Sequence, residues 1–71
     1  MKDIIIFDKY YISQRHIVAI KTEIEEYNNK HEVILNTIED CYSEIFDTKK
    51  EAETRLKQIV AEWTEYLNQS Y

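Results

Sequence analysis

Lys9, Tyr10, Tyr11, Arg15 and His16 fall in one short stretch near the start of the chain. Cationic groups with aromatic rings and phenolic hydroxyls between them are the chemistry that holds a phosphate or stacks a base. Lys9, Tyr11, Arg15 and His16 are therefore the candidate ligand-binding residues, and the ligand they suit is an anionic small molecule. The plainer account of the same stretch is a solvated turn flanked by tyrosines at a core edge. Charge distribution bears on the choice: residues 1–31 hold equal numbers of acidic and basic side chains, so residues 32–71 carry the whole net charge of −5. An anion is expected to meet the first half.

The second half offers a different chemistry. Glu32, Glu39, Asp40, Glu44, Asp47, Glu62 and Glu65 could present a negative surface to a basic groove on a host protein, although the same residues would also serve as an ordinary solubilising surface. Direct nucleic-acid binding is not expected, because phosphate contacts need clustered Lys and Arg.

Other reactive side chains point to structure. Cys41 sits beside Asp40 and near Glu39 and Glu44, without the cationic neighbours that activate a thiol as a nucleophile, and is expected to be structural. His31 and Glu32 are adjacent in a candidate strand, where neighbouring side chains face opposite sides and do not readily share one metal. No metal and no cofactor are expected. A chain this small lacks material for an enclosed cleft unless an oligomer builds one between subunits, so no enzymatic activity is expected either.

What must position these groups is a fold of 71 residues. At that size a domain buries only about 60% of the surface its unfolded chain exposes. One cysteine cannot form an internal disulfide and no Cys/His spacing suggests zinc, which leaves self-association as the remaining common support for a small fold. The chain is 44% hydrophobic and 32% charged, too apolar for a disordered tail. The opening MKDIIIF has an apolar run far short of a signal sequence or a membrane span, and a lone thiol suits a reducing compartment. A cytoplasmic protein is expected, without membrane association.

The last element has both a start signal and a period. Thr48 can cap a helix with Glu51 as its capping-box partner. Ala52, Leu56, Ile59, Val60, Trp63, Tyr66 and Leu67 then recur at three- and four-residue steps. Glu51 with Arg55 and Glu53 with Lys57 stand in the favourable acid-before-base order. A helix is expected over 48–67.

Residues 10–46 fit two periods. As helices, Ile17, Ile20, Ile24 and Tyr27 form one stripe and Leu35, Ile38, Tyr42 and Ile45 another, which with the absence of Gly and Pro would give an all-α three-helix bundle. As strands, Val18, Ile20, Thr22 and Ile24 alternate with Ala19, Lys21, Glu23 and Glu25. Three features favour strands: the β-branched and aromatic content of DIIIF, YYI, HIVAI and EVILNTI; adjacent Asn28 and Asn29, which tolerate positive φ in a tight turn; and Asp8-Lys9 and Glu39-Asp40 at turn spacing.

The expected fold is α+β and occupies residues 1–71 as one domain: an antiparallel meander of four strands at 3–8, 10–25, 31–38 and 41–46, with a break or turn in the second near Ser13 to Arg15, and one C-terminal helix on the sheet. Val33, Leu35 and Thr37 would face one way and Ile34, Asn36 and Ile38 the other, while one helix covers only one face. Ile34 and Ile38, with Tyr66 near the chain end, are thus expected at an interface with a second copy. Trp63 belongs to the helix stripe, and Tyr66 and Tyr71 are placed to meet a partner. These features suit a non-enzymatic homo-oligomeric binding protein. Size and composition suggest a phage or mobile-element inhibitor that sequesters a phosphate-bearing small molecule or blocks a host protein. The alternative is a structural or regulatory protein-protein interaction domain without a small-molecule ligand.

Overall fold

The computed structural model describes residues 3–25 and 29–69. The elements run β1 (Ile4–Phe7), β2 (Tyr10–Ser13), a short 3-10 turn (Gln14–His16), β3 (Ile17–Glu25), β4 (Lys30–Thr37), β5 (Cys41–Phe46) and α1 (Lys49–Gln69). The fold is α+β and not a three-helix bundle. Side-chain shape decides this: the stretch IVAIKTEIE loses rotamer freedom on a helix but packs well on a pleated surface.

The meander of four strands needs one correction. Among the described residues there are five strands in two sheets, a hairpin of β1 and β2 and an antiparallel sheet of order β3-β4-β5. The segment 10–25 is not continuous, because the polar run Gln14–His16 winds into one 3-10 turn, closed by the Ile17 N–H donating to the Gln14 carbonyl. Gln14 N–H donates to the Asp3 carbonyl at 2.7 Å, and Ile38 N–H donates to the His16 carbonyl at 3.0 Å. These bonds anchor the chain on both sides of the turn as it leaves one sheet and enters the next.

Turns sit where short polar residues tolerate them. Asp8 takes φ 54° in the two-residue loop between Phe7 and Tyr10, and Asn29 takes φ 54° just before β4. Asp and Asn are the side chains that reach this region at least cost. Asn28 lies outside the described residues. After β4 the Thr37 hydroxyl accepts from the N–H groups of Glu39 and Asp40, at 3.3 and 3.0 Å, and donates to the Asp40 carbonyl at 2.9 Å. That closes the turn into β5.

At the helix start Glu51 N–H donates to the Thr48 hydroxyl at 3.2 Å, and the same hydroxyl donates to the Glu51 carboxylate at 2.9 Å. With its carboxylate at the cap, Glu51 does not form the expected pair with Arg55. Arg55 turns inward to Glu44, and Glu53 pairs with Lys49 at 3.8 Å rather than with Lys57.

The core joins both sheets and the helix: Ile5, Phe7 and Ile12 from the hairpin, Ile17, Val33 and Leu35 from the larger sheet, and Ala52 and Ile59 from α1. Strand alternation explains the hairpin's share, since Ile5 opposes Ile12 on one face while Ile4 and Ile6 point away. In β4 three consecutive residues, Val33, Ile34 and Leu35, are buried, as expected for a central strand. Ile34, on the face away from the helix, is flanked by Lys21 and Ser43 and is only 8% exposed within the single chain. Ile38, past the end of β4, is 66% exposed.

One guanidinium ties the layers together. Arg55 Nε donates to Glu44 Oε1 at 2.8 Å and Arg55 Nη2 to the Ile6 carbonyl at 2.5 Å, while Glu44 Oε2 accepts the Asp8 N–H at 2.5 Å. The Arg55 guanidinium carbon also lies 5.8 Å from the centre of the Phe7 ring. Arg55→Met, which leaves Glu44 and the Ile6 carbonyl without their donor, should lower the unfolding free energy by about 1–3 kcal/mol. Urea denaturation at fixed protein concentration measures this, and a loss below about 0.5 kcal/mol, typical of plain surface changes, would contradict the bridging role.

Lys30 donates to Asp47, joining the start of β4 to the turn before α1. That hydrogen bond and the lysine's charge hold the Asp47 carboxyl below its ordinary value of 3.8. A depressed folded-state pKa means the pair's contribution is present above the unfolded value and fades as pH falls through the folded one. Melting temperature followed from about pH 5 down to about pH 2 should therefore drop less for Asp47→Asn than for the wild-type chain; equal slopes would show that the pair has no linkage to folding.

Candidate functional site

The concavity with the most varied chemistry opens between the β3-β4 hairpin and the start of α1. It is a groove of about 350 Å³ lined by Thr22, Glu23, Ile24, His31, Lys49, Ala52 and Glu53. The sheet register puts these together, because Thr22 opposes Val33 and Ile24 opposes His31, so Thr22, Ile24 and His31 share the face that α1 covers. Thr48 fixes where the helix begins and so where Lys49, Ala52 and Glu53 stand. Ala52 is buried, whereas Ile24 is 60% exposed because the helix does not reach over it.

An apolar base with the His31 imidazole, the Lys49 ammonium and the Glu53 carboxylate around it suits a partly apolar ligand or side chain carrying charge, while the Glu23 side chain turns to the opposite face of the sheet. Glu53 holds Lys49, and Lys21 reaches Glu23 at 2.9 Å from the next position on its own strand face. The Glu23 carboxylate, through its hydrogen bond and charge, raises the Lys21 ammonium above the ordinary value of 10.5. Among the described residues no group of three His, Cys, Asp or Glu side chains converges to hold a metal ion.

The four residues singled out by sequence do not converge within one chain. Lys9 is in the loop at the tip of the β1-β2 hairpin, while Arg15 and His16 are in the 3-10 turn at the other end of β2. At about 3.3 Å per strand residue, the tip and the turn are roughly 15 Å apart along β2. Tyr11 opposes Ile6 on the outer hairpin face and is 76% exposed. Its neighbour Tyr10 instead turns to Tyr42, with ring centres 4.8 Å apart. Arg15 and His16 are adjacent in the turn, Arg15 exposed and His16 half-buried.

Of the residues expected at an interface, Ile34 is shielded and Ile38 open, as described above. Tyr66 is half-buried beside a small cleft it shares with Gln14, Glu62, Glu65 and Gln69. Tyr71 lies outside the described residues. Cys41 is an exposed free thiol on β5. Its N–H donates to the Asp40 carboxylate at 2.8 Å.

A second surface stands out by its apolarity. The hairpin's outer face carries Ile4, Ile6 and Tyr11, all more than half exposed, directly behind the sealed face of Ile5, Phe7 and Ile12. Val18, Ile24, Ile38 and Ile45 are further exposed aliphatics on the larger sheet and its ends. No helix among the described residues is long and apolar enough to cross a membrane.

The groove was not foreseen from sequence, because His31, Ala52 and Lys49 meet only once the helix returns over the sheet. The one local signal was Ile24, an apolar residue near a strand end with no assigned cover. No family model, no curated protein and no solved structure matches this chain.

Because Lys9 and Arg15 occupy opposite ends of β2, inorganic phosphate titrated into labelled protein should not shift their amide resonances with one common saturation curve. Joint saturation of Lys9, Tyr11, Arg15 and His16 would mean that they form one site, contrary to this placement.

Proposed function

We propose that the chain is a non-enzymatic, homo-oligomeric binding protein that acts by occupying a surface of a host protein. The observation that carries this reading is the hairpin: a chain with a small core leaves Ile4, Ile6 and Tyr11 together on a face that nothing among the described residues covers. Exposed apolar side chains grouped on one face are the usual mark of association surfaces, where aromatic residues are enriched. The acidic second half gives such a protein a negative side toward a basic partner. Cellular fluid rich in protein, such as the cytoplasm of a host carrying a phage or mobile element, is the setting this reading supposes. That origin rests on size and composition alone.

A second reading is favoured by the groove. Lys49 and His31 stand at an opening beside strand β3, so a phosphate-bearing small molecule held where two subunits meet would find a cation and an imidazole there. In that case the protein acts by sequestration.

Native mass spectrometry, under gentle and then harsh desolvation, reports the oligomer mass and any small molecule carried through purification. The surface-blocking reading predicts an oligomer whose mass is a whole multiple of the bare chain. Loss of a phosphate-bearing species on harsh activation would replace it with sequestration. A bare monomer at every concentration tested would contradict homo-oligomeric action in either form.

A further inference from the structure

Strand β3 pairs only with β4 and forms one end of the larger sheet. Along its other side the backbone N–H and C=O groups have no strand partner among the described residues. Its side chains are correspondingly open: Val18 is 56% and Ile24 60% exposed, and Lys21 and Glu23 are each about half exposed. An edge of nine residues is long for a protein to leave uncovered.

We propose that β3 pairs antiparallel with β3 of a second copy of this chain, about a two-fold axis through Thr22. The proposal rests on the homo-oligomeric reading above and adds its surface and register. A strand that pairs with its own copy about an axis normal to the sheet must place residues whose numbers add to one even constant opposite each other. Centring on Thr22 puts Lys21 opposite Glu23 of the partner subunit and Glu23 opposite the partner subunit's Lys21. Centring on Lys21 or on Glu23 instead sets like charges face to face, which destabilises a cross-strand pair.

Three observations favour this register. Lys21 and Glu23 already form an ion pair on the face away from the helix. The second copy turns that pair into four charges alternating in sign. Glu23 also opposes Glu32 across the β3-β4 ladder, so a second cation beside Glu23 relieves a like-charge pair. On the helix face, Ile24 comes opposite Ile20 of the partner subunit, and the exposed isoleucine gains an apolar neighbour. The result is a continuous six-stranded sheet, β5-β4-β3 followed by the same strands in reverse, with both helices on one face. The grooves of the two subunits then flank the axis from either side.

Charge reversal tests this with the full-length chain. In Lys21→Glu each interface contact becomes acid against acid, and in Glu23→Lys base against base. Each variant alone should dimerise roughly tenfold more weakly in sedimentation equilibrium at low salt. An equimolar mixture of the two variants restores opposite charges at every contact, so the mixed dimer should return to near wild-type affinity. This rescue also shows that neither variant is misfolded. As a second readout, Thr22→Cys in a Cys41→Ser background should oxidise to a disulfide-linked dimer, because the two positions face each other across the axis at distances a disulfide spans. Ala19→Cys in the same background should not, since its copies lie several residues apart. A wild-type dimer that both reversals leave intact, or one cross-linked through position 19 and not 22, overturns this register while leaving homo-oligomeric action standing. A wild-type chain that is monomeric throughout overturns both.

Discussion

The fold depends on the bridge from Arg55 to Glu44. A two-stranded hairpin is marginal by itself in water, and among the described residues β1-β2 has no hydrogen-bonded strand neighbour beyond its own pair. Besides the burial of Ile5, Phe7 and Ile12 in the common core, what fastens it is a helix side chain that reaches across 49 positions of sequence to the Ile6 carbonyl and, through Glu44, to the Asp8 N–H. The planar guanidinium suits this task because its fork of donors serves a carboxylate and a carbonyl together, with the Phe7 ring nearby. Both charged side chains are largely withdrawn from water, 25% and 17% exposed. Withdrawal from water costs both charges hydration that their pairing must offset, so either partner left alone would be costly.

Once the hairpin is fastened, the distribution of surface follows. Its inner residues complete a core that β4 and α1 could not close, and strand alternation then obliges Ile4, Ile6 and Tyr11 to point outward. The same economy holds at β3, where one helix is too narrow to cover Ile24. A fold this small, with a single cysteine and so no internal disulfide, leaves apolar surface that a larger protein would bury, and the proposed binding function would make use of it. Acidic side chains concentrated after residue 31 give that half of the chain its net charge of −5, which under the proposed function would favour a basic partner.

Much of the fold was legible because its determinants are local. Thr48 and Glu51 announce the helix, the β-branched runs announce strands, and Asp8 and Asn29 adopt the positive φ that their side chains permit. The division into two sheets was less visible. Ser13 to Arg15 marked a break, but only the hydrogen bonds of Gln14 to Asp3 and Ile38 to His16 decide where each half goes. Arg55 shows the limit most clearly. Helix spacing offers Glu51 as its partner, yet the Thr48 cap engages Glu51, and Glu44 is brought to Arg55 by β5. The basic and aromatic stretch at residues 9 to 16 is spread out for a related reason, since closeness in sequence along an extended strand is distance in space within one chain. Conversely, the groove joins His31 to Lys49 through chain reversal, which no spacing rule encodes.

Native-state hydrogen exchange of the wild-type protein, resolved by residue, tests the central claim most directly. If Arg55 and Glu44 fasten the hairpin to the sheet and helix, the hydrogen-bonded amides of β1 and β2 should exchange with the same free energy and denaturant dependence as those of β4, opening only when the whole protein unfolds. A hairpin that opens by itself at markedly lower free energy, while β4 and α1 stay protected, would show that it is merely laid against the fold and that the bridge does not hold the structure together.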